Sequence, residues 1–97
     1  MSDITLVNTV FPSDVKVPPQ GILYLTAAIE DAGFEVDIRD YQLCGYDEPW
    51  EPAALARFVE RSAPIVGFSC MSYALPLVIA AARLIKRRHP SKTIVLG

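Results

Sequence analysis

The sequence predicts an α/β domain in which helices cover both faces of a parallel sheet. Short β-branched segments alternate along the chain with segments whose apolar residues recur at helical spacing. Hydrophobic residues make up 52% of the chain and charged residues 21%, a composition typical of a chain that packs a core. The 97 residues suffice for one small domain, which we place at 1–97.

The first half of the chain predicts a strand, a helix and a second strand. The β-branched residues that follow Ile4 predict a strand at about residues 3–8. After a proline-rich loop, apolar residues from Ile22 to Ala32 recur at helical spacing, and Gly33 is suited to end that helix. Residues 34–40 alternate apolar and charged side chains, which predicts a half-buried strand near an edge of the sheet.

The second half predicts two more helix–strand units. After a loop at 42–52, a helix is expected from Pro52 to Ser62, with Leu55, Phe58 and Val59 facing inward. The uncharged segment 65–70 predicts a central strand covered on both faces. A third helix should begin near Leu75, present Leu77, Val78, Ala81, Leu84 and Ile85 to the core, and end at the cations and proline of 86–90, before a strand at 93–97.

Composition also narrows the partners and the compartment that we expect. A net charge of −2 provides no broad basic surface for nucleic acid. The first residues lack the cationic region of a secretory signal, and the longest apolar run, 74–82, is too short to span a bilayer. Cys44 and Cys70 lack the spacing of a metal-binding pair. These features favour a cytoplasmic protein without a membrane partner.

The end of the sequence predicts a longer polypeptide. The chain stops on an apolar strand, which would leave one hydrogen-bonding edge of the sheet without a neighbour. We therefore expect residues 1–97 to be the front part of a larger protein and to behave poorly when expressed alone.

Ligands of open parallel sheets bind beyond the carboxyl ends of the strands, where the strand order reverses. Three segments are expected there: the long loop from Asn8 to Gly21, the turn 69–72, and Gly97. Each also has a purely structural explanation, as a surface loop, a helix cap at Ser72 or a turn glycine. The glycine-rich motifs that bind phosphates in nucleotide-binding proteins do not occur in the sequence.

Three sequence blocks together resemble a known family. The block Pro18-Pro19-Gln20-Gly21-Ile22-Leu23-Tyr24-Leu25-Thr26-Ala27-Ala28 is similar to the P-P-x-G-x-x-Y-L-A-A pattern that opens the cobalamin-binding domain of cobalamin-dependent radical SAM proteins. Residues 65–72 resemble the third strand and turn of that domain, and residues 86–97 resemble the stretch that leads to its Gly-Gly pair. The resemblance covers nearly the whole chain.

This resemblance implies a flavodoxin-like fold that holds cobalamin, with the dimethylbenzimidazole tail among strands 1, 3 and 4. It assigns the following residues to the cofactor site: Asn8, Thr9, Pro18, Gly21, Tyr24, Ser69, Cys70, Met71, Ser72 and Gly97. Among them, Ser69 matches the serine that faces the tail, and the loop 9–21 would pass beneath the corrin. That loop has no histidine to ligate cobalt, and His89 is expected only to end a helix. No other metal ligand is assigned.

The resemblance also implies a division of labour within a larger enzyme. The C-x-x-x-C-x-x-C motif, which holds a [4Fe–4S] cluster for S-adenosylmethionine, cannot be formed by two cysteines, so it is expected in a downstream radical SAM domain. The present chain would then not be catalytic alone, and it would present cobalamin for methyl transfer or cyclisation on an unknown small molecule or peptide. Two alternatives stay open: an interaction or regulatory domain of the same fold without a cofactor, and a nucleotide site.

Overall fold

The computed structural model describes residues 2–9, 20–43, 47–69 and 74–97. Within these ranges four strands and three helices alternate: β1 (Ile4–Asn8), α1 (Gln20–Asp31), β2 (Val36–Asp40), α2 (Pro52–Phe58), β3 (Ile65–Ser69), α3 (Leu75–Arg88) and β4 (Thr93–Leu96). A short 3₁₀ helix, Tyr41–Leu43, follows β2. The predicted order of elements is therefore confirmed.

The four strands form one parallel sheet in the order β2-β1-β3-β4. The chain leaves β1 for β2 on one side, then crosses back to β3 and β4 on the other side. The strand order therefore reverses between β1 and β3, which is the position where open α/β sheets bind ligands. The alternating strand β2 lies at an edge and the uncharged strand β3 lies inside the sheet, as the sequence predicts.

The core lies between the sheet and the helices α2 and α3. Side chains alternate between the two faces of a strand, so Val7 of β1 and Val66 and Phe68 of β3 all point to this side. Burial of their apolar surface against the two helices provides the main stabilisation of the fold. The buried cluster comprises Val7, Tyr41, Ala54, Leu55, Ala56, Val59, Val66, Phe68, Leu77, Val78, Ala81 and Ile85. Helix α1 packs on the opposite face, where Ile22 is buried beside β1 and β3.

Helix α2 ends at Phe58, four residues before the predicted end at Ser62. Side-chain donors contribute to the early end, because they bind backbone carbonyl groups at and just after the last residue of the helix. Arg39 of β2 donates from its guanidinium to the carbonyl oxygens of Phe58 and Arg61, and Ser62 Oγ donates to the carbonyl of Val59 at 2.6 Å. The predicted inward residues of this helix are confirmed, with Val59 fully buried just after its end.

The connection between α1 and β2 depends on a glycine. Gly33 has a φ of +94°, the left-handed conformation in which glycine avoids the steric cost of a Cβ atom. Its amide donates to the carbonyl of Glu30 at 2.9 Å and closes the helix. Strand pairing then begins at Val36 rather than at Phe34, and α1 begins at Gln20 rather than at Ile22. The remaining strand and helix bounds lie within one residue of the prediction.

A buried lysine ties β4 to the connection between α2 and β3. Lys92 is only 8% exposed, and its Nζ donates to the carbonyl oxygens of Ser62 and Ala63, each at 2.9 Å, and to Ser62 Oγ at 3.0 Å. Burial of the ammonium group lowers the pKa of Lys92, and the positive charge of Arg39 lowers it further. The lysine and the arginine thus hold backbone carbonyls at the end of the sheet opposite to the carboxyl ends.

Candidate functional site

Polar residues form a row across the carboxyl ends of the strands. The parallel register pairs Asn8 of β1 with Asp40 of β2 on one side and with Ser69 of β3 on the other. Phe68 pairs with the last residue of β4, and its carbonyl accepts a hydrogen bond from the amide of Gly97 at 3.0 Å. The next position therefore places Gly97 beside Ser69. We call Asp40, Asn8, Ser69 and Gly97 the polar row.

Hydrogen bonds fix the polar row. Asn8 Nδ2 donates to Asp40 Oδ1 at 3.1 Å, and Gln42 Nε2 donates to the second carboxylate oxygen at 3.4 Å. Thr9 Oγ1 donates to the carbonyl oxygen of Ser69 at 2.7 Å and so joins the end of β1 to the end of β3. The carbonyl of Ser69 makes this link between strands, and its hydroxyl takes no part in it. Ser69 lies at an exposed position, so the hydroxyl is accessible. The hydroxyl can donate to or accept from a ligand.

A largely apolar pocket of about 320 Å³ lies below the polar row, on the α1 face of the sheet. The strands provide its floor and α1 provides one wall. The lining residues are Ile4, Leu6, Ile22, Leu25, Gly67, Phe68, Ser69, Val95 and Gly97. We call it the switch-point pocket, because its floor spans β1 and β3, between which the strand order reverses. Apolar walls below a few polar groups are typical of small-molecule sites.

The floor of the pocket depends on a glycine that the sequence analysis did not single out. Gly67 is buried in the middle of β3, and a Cβ atom placed there would lie 2.9 Å from Leu6 Cδ2. A glycine inside an uncharged strand often marks a close approach of another group, and this was the available signal. Leu6 and Val95 were also missed, because they join the site only through the register of β1, β3 and β4.

The structure brings together some of the predicted site residues. Ser69 and Gly97 line the switch-point pocket, and Asn8 and Thr9 lie beside Ser69 through the contacts described above. The backbone of Gly21 lies in the first turn of α1. The Tyr24 side chain is 81% exposed and does not line the pocket. The residues of α1 that line it are Ile22 and Leu25. The remaining predicted residues, Pro18, Cys70, Met71 and Ser72, lie outside the described residues.

The chain's single histidine lies at the end of the sheet opposite to the polar row. His89 follows α3, and its amide donates to the carbonyl of Ile85 at 2.8 Å. Because α3 runs back against the strands, His89 lies near the amino end of β4, whereas the polar row lies at the carboxyl ends. Within the described ranges, no group of three or more His, Cys, Asp or Glu side chains could hold a metal ion. The described helices are also too short or too polar to cross a membrane.

Strand order and parallel pairing define a flavodoxin-like α/β domain that carries a pocket at its switch point. The family model of the B12 binding domain matches residues 5–97. This match spans nearly the whole sequence, so the chain belongs to the B12-binding domain family. Neither a curated protein nor a solved structure matches the chain. The resemblance to a cobalamin-binding domain is thereby confirmed, and the family supports cobalamin as the ligand.

Proposed function

We propose that this chain is the cobalamin-binding module of a radical SAM enzyme and that the switch-point pocket takes the nucleotide tail of the cofactor. The family match carries the cobalamin part of the proposal. The radical SAM part is supported by the proline–glycine–tyrosine block at 18–24, which this class of cobalamin proteins shares. The [4Fe–4S] cluster, S-adenosylmethionine and the substrate would then belong to the radical SAM domain of the same polypeptide.

The pocket fits the chemistry of a flat aromatic base. A cavity of about 150 Å³ lined by apolar side chains accommodates benzene, so 320 Å³ leaves room for a two-ring base. Ile4, Leu6 and Val95 offer aliphatic contact to the ring faces, and the Ser69 hydroxyl at the mouth can donate to a ring nitrogen. The residues present therefore suit the tail of cobalamin.

The role of the protein is to bind and to orient. When bound, cobalamin supplies a cobalt centre that can carry a methyl group or change its oxidation state, and the protein positions it. The side chains that line the pocket provide shape and apolar contact, and the Ser69 hydroxyl offers a hydrogen bond. The histidine at 89 is separated from the carboxyl ends by the length of α3, so we propose a lower face of the corrin without histidine ligation.

The test is a titration of the chain with hydroxocobalamin, read from the visible spectrum after desalting. We expect stoichiometric retention, with a spectrum that lacks the signature of a histidine ligand. Ser69→Leu should weaken retention because the larger side chain fills the mouth of the pocket, whereas Ser91→Leu, at an exposed position in the turn before β4, should not. Loss of retention in the wild-type chain, or equal retention by both variants, would contradict the proposed site.

The radical SAM assignment has its own test. The coding sequence beyond position 97 should contain a Gly-Gly pair and a C-x-x-x-C-x-x-C motif. A stop codon shortly after that position would contradict the assignment and leave the cobalamin site to be judged by the titration alone.

A second candidate is an interaction or regulatory domain of the same fold without a cofactor. The exposed apolar side chains of α1 favour it, since Leu23 is 51% and Tyr24 is 81% exposed. Such surfaces are typical of contacts with a protein partner or a neighbouring domain. The titration separates the two candidates, because an empty pocket predicts no retained cobalamin.

A further inference from the structure

Gly67 lies at the centre of the pocket floor, flanked by two aliphatic side chains. The register places it between Leu6 of β1 and Val95 of β4, and all three residues line the switch-point pocket. Because the glycine has no side chain, a gap lies on the pocket floor between the side chains of Leu6 and Val95. The gap opens on the α1 face, since the flanking residues of β3, Val66 and Phe68, point into the core on the other face.

The backbone does not explain why this position is glycine. Among the glycines of the described residues, Gly33 is the one with a positive φ, so Gly67 has a conformation that any residue adopts. A glycine in a strand interior also lowers stability, because it loses more backbone entropy on folding than other residues. The remaining physical reason for a glycine at position 67 is space. Either the side chain of the neighbouring Leu6 or a ligand must occupy the volume that a side chain would fill.

The geometry shows how little space a side chain would have. A Cβ atom at position 67 would lie 2.9 Å from Leu6 Cδ2, well below the separation of about 3.5–4.0 Å that carbon atoms prefer. Leu6 is only 4% exposed, so it is already packed, and the open volume beside it is the pocket. A methyl group at position 67 would therefore displace the Leu6 side chain or project into the pocket itself. Either outcome makes the pocket shallower.

We propose that Gly67 determines the ligand specificity of the switch-point pocket: its missing side chain provides the depth that a two-ring aromatic base requires. This inference rests on the proposed function and names the residue that selects for the tail. It implies that the site distinguishes complete cobalamin from a corrinoid that lacks the nucleotide tail, such as cobinamide. The distinction arises on the pocket floor, separately from the hydrogen bond that Ser69 can offer at the mouth.

The experiment compares the affinities for cobalamin and cobinamide in spectral titrations. Gly67→Ala should weaken cobalamin binding about tenfold, or about 1.4 kcal/mol, because the added methyl group overpacks the floor against the base. Cobinamide binding should stay unchanged, since it places no base in the pocket. The double variant Leu6→Ala/Gly67→Ala should recover most of the cobalamin affinity, because removal of Cδ2 restores the lost depth.

Gly33→Ala is the matched control. It adds the same methyl group to a glycine outside the pocket lining, and its positive φ makes the variant less stable. It therefore shows what a loss of stability alone does to binding, and thermal unfolding of every variant monitors folding. Equal weakening of both corrinoids by Gly67→Ala, or unchanged cobalamin affinity, would overturn this inference while leaving the proposed function intact. A wild-type chain that binds neither corrinoid would overturn the proposed function itself.

Discussion

Thr5 offers a sharp test of how the site-bearing strand β3 is held in place. Its side chain is fully buried, and its hydroxyl makes two hydrogen bonds. Oγ1 donates to Asp37 Oδ2 at 3.2 Å and accepts from the backbone amide of Ala63 at 2.9 Å. Ala63 lies two residues before β3, so this hydroxyl anchors the segment through which the chain enters the sheet.

The substitution Thr5→Val keeps the shape of the side chain and removes the hydroxyl. Asp37 retains the guanidinium Nε of Arg39 at 2.8 Å, so it does not lose its last donor. The amide of Ala63 is left buried without its acceptor, which costs about 1–3 kcal/mol of the free energy of unfolding. At a central value of about 2 kcal/mol, a domain of this size should lose roughly 8–16 °C in melting temperature.

Thermal and urea unfolding followed by circular dichroism measure this loss. The same substitution at an exposed threonine of β4, Thr93→Val, is the matched control and should stay within roughly 0.5 kcal/mol of the wild type. If Thr5→Val were as stable as the control variant, the hydrogen bond to Ala63 would contribute nothing to stability. The reasoning that a buried amide needs an acceptor here would then be refuted.

Two further predictions concern stability. The native pKa of Lys92 is lowered from 10.5, so the native state releases the ammonium proton at a lower pH than the unfolded state does. The contribution of Lys92 to the free energy of unfolding should therefore increase as the pH rises towards 10.5. Urea unfolding at pH 7 and pH 10 should show this gain in the wild type and not in Lys92→Met, and an identical pH dependence would contradict it. Gly33→Ala should lose about 1–2 kcal/mol through its positive φ, since no atom other than those of its chain neighbours lies within 4 Å of the added Cβ. An unchanged urea midpoint would disprove the left-handed turn.

The sequence predicts the fold well because local signals and strand burial agree. The alternation of charged and apolar residues in β2 and the uncharged run in β3 distinguish an edge strand from an inner strand, and the structure confirms both positions. The end of α2 was wrong by four residues, and one cause of its early end lies elsewhere in the chain. The guanidinium of Arg39 acts on α2 from β2, and no local pattern in 52–62 contains that contact.

The site was predicted in part for a similar reason. Ser69 and Gly97 could be placed because they end strands, and strand ends meet at one edge of a parallel sheet. The floor of the pocket is formed by Leu6, Gly67 and Val95, which are far apart in the sequence and become neighbours only through the register. Periodicity predicts the face on which each residue lies within its own strand, but it does not align one strand with another.

The two faces of β3 separate stability from function. Val66 and Phe68 point into the core formed with α2 and α3, with exposures of 0% and 2%, whereas Gly67 and Ser69 lie on the α1 face and line the pocket, which Phe68 also borders. This alternation follows from the two-residue period of a strand. A substitution at Val66, which does not line the pocket, should therefore weaken ligand binding only by unfolding the domain, while substitutions at Gly67 or Ser69 can change affinity in a folded chain. A strand built in this way lets a binding site vary without loss of the packing that holds it.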